Sequence, residues 1–242
     1  KLFRSVADFA GWIAVSNILN SLAFYIDRFI IGATLSMSAL TYYSVPFDLA
    51  ARLWVISTSL TMTLFPAFAI LIAKDDSQKV SDYFTKSIKF LVMVSGPVVC
   101  LLLVFSRRIL EIWLGEEFAA QSTLVLQLLL AATLIDYPGI IASTLLEGAG
   151  QPRQIAMVKM LYLPIHALLI YIASDIYGIV GAALALVTLR VIYSIIFTLA
   201  AMRLLNMPKS RFFRNLLPSY FIIAAFMAAG IMMNSQAFSI SW

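Results

Sequence analysis

The stretch FAGWIAVSNILNSLAFYIDRFIIGATL, residues 9–35, decides the fold class. It runs 27 residues with only two charges, Asp27 and Arg28. A helix of about 20 apolar residues is long enough to cross the hydrocarbon of a bilayer. This stretch therefore predicts a membrane-spanning helix, with an acid and a base placed deep inside it.

Six more apolar segments follow, at residues 40–73, 87–105, 122–146, 155–174, 179–202 and 216–233. The whole chain is 62% hydrophobic and 12% charged, whereas a globular domain is about half apolar and a quarter charged. One soluble core cannot absorb that excess. The reading is all-α: a polytopic transmembrane bundle of about seven helices. Pro46 is the expected break in the long second segment, because proline removes a rung of the helical ladder.

The formal net charge of +5 is not a nucleic-acid signature, because the basic residues sit at the ends of the apolar blocks. One set of alternate connections holds twelve of them, among them Lys1, Arg4, Lys74, Lys79, Arg203, Lys209, Arg211 and Arg214. The opposite set holds Arg107 and Arg108, beside Glu111, Glu116 and Glu117. The positive-inside rule then places the start of the chain in the cytoplasm. The connection 106–121 alternates Ile109, Ile112, Trp113 and Phe118 with charges, which predicts a short amphipathic helix lying in the interface. An external gate is the other reading of that loop. The chain begins with Lys1 and reads as a piece of a longer polypeptide.

Ionisable groups at membrane depth are costly and usually face a bundle interior or an aqueous cavity. Asp27 lies ten residues before Met37 and Asp48 eleven after it. Both are then roughly 15 Å deep, near mid-membrane. Asp27, Arg28, Asp48 and Arg52 are expected to meet there. Asn17, Asn20, Ser21 and Arg28 form a polar stripe on the first helix, and Asp48, Arg52, Ser59 and Thr63 one on the second. A structural ion-pair cluster is one reading of these charges. An anion site is the other, since guanidinium matches phosphate geometry. Asp136 stands before Pro138-Gly139, where the fourth helix is expected to open beside a cavity or inside the protein. Arg190 lies deep in the sixth segment. His166 is either a packing residue or a proton relay. Glu147 and Lys159 are expected to be solvated at cytoplasmic ends.

One histidine and one cysteine cannot build a metal site, so no metal and no cofactor is expected. Cys100 reads as a small packing residue. No glycine-rich phosphate loop is present, which argues against ATP coupling within these residues.

The runs Gly11-Trp12-Ile13-Ala14-Val15-Ser16-Asn17-Ile18 and Tyr25-Ile26-Asp27-Arg28-Phe29-Ile30-Ile31-Gly32 resemble the second half of the Wzx-type polysaccharide flippases. Those proteins belong to the multidrug/oligosaccharidyl-lipid/polysaccharide exporter superfamily. Tyr42-Tyr43-Ser44-Val45-Pro46-Phe47, Leu64-Phe65-Pro66-Ala67-Phe68, Trp113-Leu114-Gly115 and Glu147-Gly148-Ala149-Gly150-Gln151-Pro152 fit the same pattern. The resemblance is strongest over residues 9–73. It implies a two-lobe, MATE-like transporter, with residues 1–203 as a six-helix second lobe and 204–242 as a basic loop plus one extra helix. The implied activity is flipping of undecaprenyl-pyrophosphate-linked oligosaccharide across the bacterial inner membrane, in lipopolysaccharide or related biosynthesis. Arg28, Arg52 and Arg190, with Asn17 and Asn20, would line a cationic lumen. Asp27, Asp48, Asp136 and His166 would form ion pairs or carry coupling protons. Implied partners are the lipid-linked glycan, membrane lipid, the first half of the polypeptide, a polysaccharide polymerase and a chain-length regulator. A drug or cation antiporter of the same superfamily, and a membrane enzyme of glycan assembly, are the competing readings.

Overall fold

The computed structural model describes the backbone of residues 2–239 and the side chains of residues 7 and 9–232. Lys1, residues 240–242 and the Arg4 side chain, all part of the expectations above, lie outside the described residues. The described chain forms seven helices and no strand: α1 (Leu2–Thr34), α2 (Met37–Ala51), α3 (Trp54–Ala73), α4 (Ser77–Leu114), α5 (Glu116–Gly148), α6 (Pro152–Leu204) and α7 (Lys209–Ser239). All but α2 are long and apolar enough to cross a membrane. The protein is a polytopic helical bundle.

α6 is 53 residues long, enough for about 80 Å if straight, well over twice the hydrocarbon thickness. It is not straight. Gly178 adopts φ 60° and ψ −145°, a conformation that favours glycine, and the chain doubles back there. Gly181 then packs on the Ala173 carbonyl, and the Tyr162 and Tyr193 rings meet at 5.7 Å. Residues 152–177 and 179–204 are thus two antiparallel arms. Counting α2 and α3 as one broken pass, the chain makes seven passes, as the apolar segments indicate.

The break in the second pass is not at Pro46, as expected, but at Arg52-Leu53. There the hydrogen bonds Leu53 N to Ala50 O, Val55 N to Arg52 O and Ile56 N to Leu53 O tighten one turn. Pro46 stays inside α2 because the carbonyl it leaves without a helical donor, that of Tyr42, accepts a bond of 2.9 Å from the Ser122 hydroxyl of α5. Ser122→Ala should lower stability by about 1 kcal/mol, the smaller end for an unsatisfied acceptor, since side-chain bonds in membranes are modest. Thermal unfolding of the full-length protein in detergent checks this. An unchanged Tm would mean that the carbonyl needs no side-chain partner.

The interfacial helix expected over residues 106–121 is absent. α4 runs on to Leu114, Gly115 alone makes the turn, and α5 starts at Glu116. Glu116 and Glu117 occupy the first turn of α5, where the helix dipole favours acids, so the segment extends the two spans instead of lying flat. At the other end of α4, the Asp76 carboxylate caps the Lys79 N–H at 3.1 Å. The Lys79 ammonium, and after it that backbone bond, hold its pKa below the usual carboxylate range.

α5 is the axis of the bundle, touching α2, α3, α4 and α6. Tyr137, Ile141, Leu145 and Phe197 pack with Phe84 and Ile88 on one side of it, and Leu126, Leu130, Tyr43 and Phe47 on another. α1 is the least covered span. Only Ser16, Asp27 and Ile31 are buried among its described side chains, all on the stripe that meets α6. Cys100 is buried against the Ile223 carbonyl of α7, in keeping with a packing role.

Candidate functional site

An open cavity of roughly 520 Å³ lies between α1, α2, α3, α5 and the two arms of α6. Each of these helices except α2 presents a stripe to it at three- and four-residue spacing. α5 gives Asp136, Ile140 and Ser143; the first arm of α6 gives Lys159, Tyr162 and His166. The second arm gives Leu186, Arg190 and Tyr193, while α1 adds Asn20 and Phe24, and α3 adds Trp54 and Ser57.

The best-built part surrounds Asp136. Arg190 Nη1 donates to Asp136 Oδ2 at 3.1 Å, and its guanidinium lies 4.4 Å from the centre of the Trp54 ring. Proline at 138 frees the Leu134 carbonyl, and the Tyr220 hydroxyl of α7 donates to it at 3.0 Å. The Ser194 hydroxyl accepts from the Gly139 N–H at 3.1 Å and donates to the Ile135 carbonyl at 2.9 Å. Those two groups belong to one rung of α5. Ser95 of α4 bonds to the Tyr137 hydroxyl. Hydroxyl groups from two neighbouring elements, Tyr220 of α7 and Ser194 of the second arm of α6, therefore replace or support the ladder that Pro138-Gly139 weakens. Backbone irregularity is tolerated at membrane depth when protein satisfies it in this way. The result fixes the carboxylate of Asp136 in position. Gly139 is required by space as well, since a Cβ there would come within 2.6 Å of the Ser194 Cα.

The four charges of the first hairpin do not form one cluster. Arg28 pairs with Asp48 and lies 5.4 Å and 5.0 Å from the Phe24 and Phe47 ring centres. Asp27 turns the other way. It is buried, accepts from the Tyr43 hydroxyl at 2.8 Å, and lies 3.9 Å from His166 Nε2. Neighbouring helical residues point about 100° apart, which sends the two side chains to different partners. Arg52 is exposed at the tightened turn and does not line the cavity. Asn17 is exposed and off the cavity wall as well, whereas Asn20 is on it. Of the residues expected to form a lumen or carry protons, the cavity wall contains Arg190, Asn20, Asp136 and His166, with Asp27 just behind His166.

The expectation that Lys159 is solvated is overturned. It is buried on the cavity wall, and its Nζ donates to the Ser16 hydroxyl of α1 at 2.6 Å. α1 covers it, which its position near a segment end conceals. The spacing of Lys159, Tyr162 and His166 on one helical face was the available signal. The wall thus carries two basic side chains, Lys159 and Arg190, and one carboxylate, Asp136, while the Glu147 carboxylate acts on Lys159 and the Asp27 carboxylate on Arg190 from outside it. Among the described residues no group of three or more His, Cys, Asp or Glu could hold a metal.

Comparison with known proteins agrees with this architecture. A protein of Shigella flexneri provisionally named an O-antigen transporter is 27% identical over 185 residues, which is 76% of this chain and 44% of that protein. A protein of Haloferax volcanii provisionally named a low-salt glycan biosynthesis flippase is 27% identical over 185 residues, 76% of this chain and 39% of that one. The chain therefore spans less than half the length of either relative. No solved structure matches. The resemblance to polysaccharide flippases is borne out by these relatives and by a family model, described as polysaccharide biosynthesis protein, that matches residues 1–123. With half of its length under that match and a multi-pass helical fold around a polar cavity, the chain belongs to the polysaccharide biosynthesis protein family.

Proposed function

We propose that this chain is one lobe of a flippase that carries an undecaprenyl-diphosphate-linked oligosaccharide from the cytoplasmic to the outer leaflet by alternating access. The observation that carries the reading is the pair of basic side chains, half-buried Arg190 and buried Lys159, on the wall of one cavity. A guanidinium and an ammonium on one cavity wall suit an anionic ligand better than the cations that a drug antiporter would take. Arg190 uses one amino group on Asp136 and keeps further donors in a planar fork suited to phosphate oxygens. The names of the two relatives support glycan flipping as the activity.

A second face belongs to the same reading. Asn17, Asp48, Arg52, Ser59 and Thr63 are all exposed on this chain and lie off the cavity wall. Hydrocarbon does not tolerate such a row of polar groups. The face fits against a water-filled lumen and a first lobe, with residues 1–203 forming the second lobe and 204–242 an added helix and its basic loop. The lobes would rock while the lipid tail stays in the bilayer. Asp27, His166 and Asp136 are the groups placed to couple protons to that motion. The charge asymmetry of the connections supports an inner-membrane location with the first residues in the cytoplasm.

Lys159→Met in the full-length protein tests the reading. Replacing a buried charge by an apolar residue of similar volume is often tolerated by the fold. Glycan delivery to the cell surface should fall at least about tenfold, the loss expected when a buried charge-assisted contact disappears, with the protein still present in the membrane. Unchanged delivery would contradict the anion site.

A further inference from the structure

At the end of the bundle away from Gly178, α6 passes into α7 through the turn 205–208. The sequence sets this turn tightly. Asn206 takes the left-handed conformation at φ 48°, which asparagine tolerates better than most residues. Its N–H bonds to the Arg203 carbonyl at 3.2 Å, and the Met207 N–H reaches back to the Met202 carbonyl at 2.9 Å. Those two bonds make a Schellman closure of α6. Met202 and Met207 are both buried in one cluster, and Pro208 prevents the helix from running on.

Arg203, in the last turn of α6, and Lys209, the first residue of α7, are thereby held on the two sides of a cavity of roughly 400 Å³. Asn206 is exposed on its wall, and Leu199, Met202 and Met207 give it apolar surface. Arg211, close by, is paired with Asp82 at 3.5 Å. Arg203 and Lys209 have no carboxylate within salt-bridge distance among the described residues.

The chemistry of this set selects the ligand. A guanidinium fork and an ammonium suit the free oxygens of a phosphodiester. A free phosphate would leave the leucine and methionine surface wet, whereas the acyl stem of a lipid covers it. A zwitterionic headgroup would bring its own ammonium beside two cations, so the anionic headgroup is the better match.

We propose that the turn between α6 and α7 is a binding site for an anionic phospholipid. Arg203 and Lys209 hold the headgroup phosphate, and the first part of an acyl chain lies along Leu199 and Met202. The lipid joins α6 to α7, a helix whose main packing partner is α4. With the orientation proposed above, it belongs to the cytoplasmic leaflet. The site is separate from the polar cavity and does not depend on the flippase reading.

The test titrates full-length protein in detergent with phosphatidylglycerol or phosphatidylcholine and counts bound lipid by native mass spectrometry. Arg203→Gln combined with Lys209→Gln should weaken the binding of one phosphatidylglycerol about 25-fold, at about fivefold for each basic side chain. Both side chains are exposed, so the variant should fold, and its Tm without lipid should match the wild type. Arg203→Lys keeps the charge and should retain most of the binding. Lys74→Gln combined with Lys86→Gln removes two exposed charges from the same end, off the cavity wall, and should bind as the wild type does. Equal weakening in the two double variants would overturn the site, because the charge of the whole end would then be drawing the lipid. Unchanged binding in the Arg203 and Lys209 variant would overturn it too, as would phosphatidylcholine bound as tightly as phosphatidylglycerol. Inorganic phosphate that raises the wild-type Tm as far as phosphatidylglycerol does would overturn the lipid and leave a soluble phosphate as the ligand.

Discussion

Arg190→Ala in the full-length protein is expected to abolish delivery of the lipid-linked glycan and to reduce the amount of folded protein. Two losses combine. The cavity loses its fork of phosphate donors, and Asp136 is left as a buried carboxylate without its ion partner. Stranding one member of a buried pair costs about 3–5 kcal/mol, a large share of a typical protein's stability. The losses can be separated. Arg190→Met combined with Asp136→Asn removes both charges and should restore the protein to near its normal level, because no charge is then stranded. Delivery should stay absent. Recovery of delivery in the double variant would show that Arg190 acts only as the counter-ion of Asp136. Arg190→Lys keeps the charge but not the planar fork, so it should fall between the two. Immunoblotting of membranes alongside surface glycan staining reads both quantities.

Gly139→Ala is expected to be strongly damaging although it adds a single methyl group. The added Cβ would sit 2.6 Å from the Ser194 Cα, which is backbone and cannot rotate away. α5 and the second arm of α6 must separate, at a cost of about 1–3 kcal/mol or more for overpacking. Separation also stretches both bonds that Ser194 makes to the Ile135–Gly139 rung and moves Asp136 away from Arg190. Gly11→Ala is the matching control. Nothing lies within 4 Å of a Cβ there, and alanine favours a helix, so that change should be neutral or slightly stabilising. Thermal unfolding in detergent should show a lowered Tm for the first variant only. Equal behaviour of the two would mean that the close approach at Gly139 does not matter.

The passes were legible because a span has a required length, and apolar runs announce it. The weak point of α5 was legible too, since Asp136 stands next to Pro138-Gly139. What the sequence concealed was direction around each helix axis. Counting residues from Met37 gives the depth of Asp27 and Asp48 but not the way either faces. Asp27 therefore looked like a partner for the nearby arginines, while it packs with Tyr43 and His166. Pro46 illustrates a second limit. A proline breaks a helix only if its orphaned carbonyl stays unpaired, and the Ser122 hydroxyl that pairs it is 80 residues away. Lys159 shows a third. Nearness to a segment end suggests solvent, but burial depends on which helix lies across it, here α1.

The central claim is that a water-accessible anion and glycan site lies in the middle of these spans. Cysteine labelling of the full-length protein tests it most directly. In this part of the chain Cys100 is the sole cysteine, and it is buried, so Cys100→Ala gives a quiet background. With any cysteines elsewhere in the polypeptide also removed, Ser143→Cys on the cavity wall should react with a membrane-impermeant maleimide. Val94→Cys, on the exposed apolar face of α4 with Phe90, Val98 and Leu101, should not, because lipid excludes the reagent. Adding the lipid-linked glycan should protect position 143. A position 143 that stays unlabelled, or that labels equally with and without the glycan, would contradict the account.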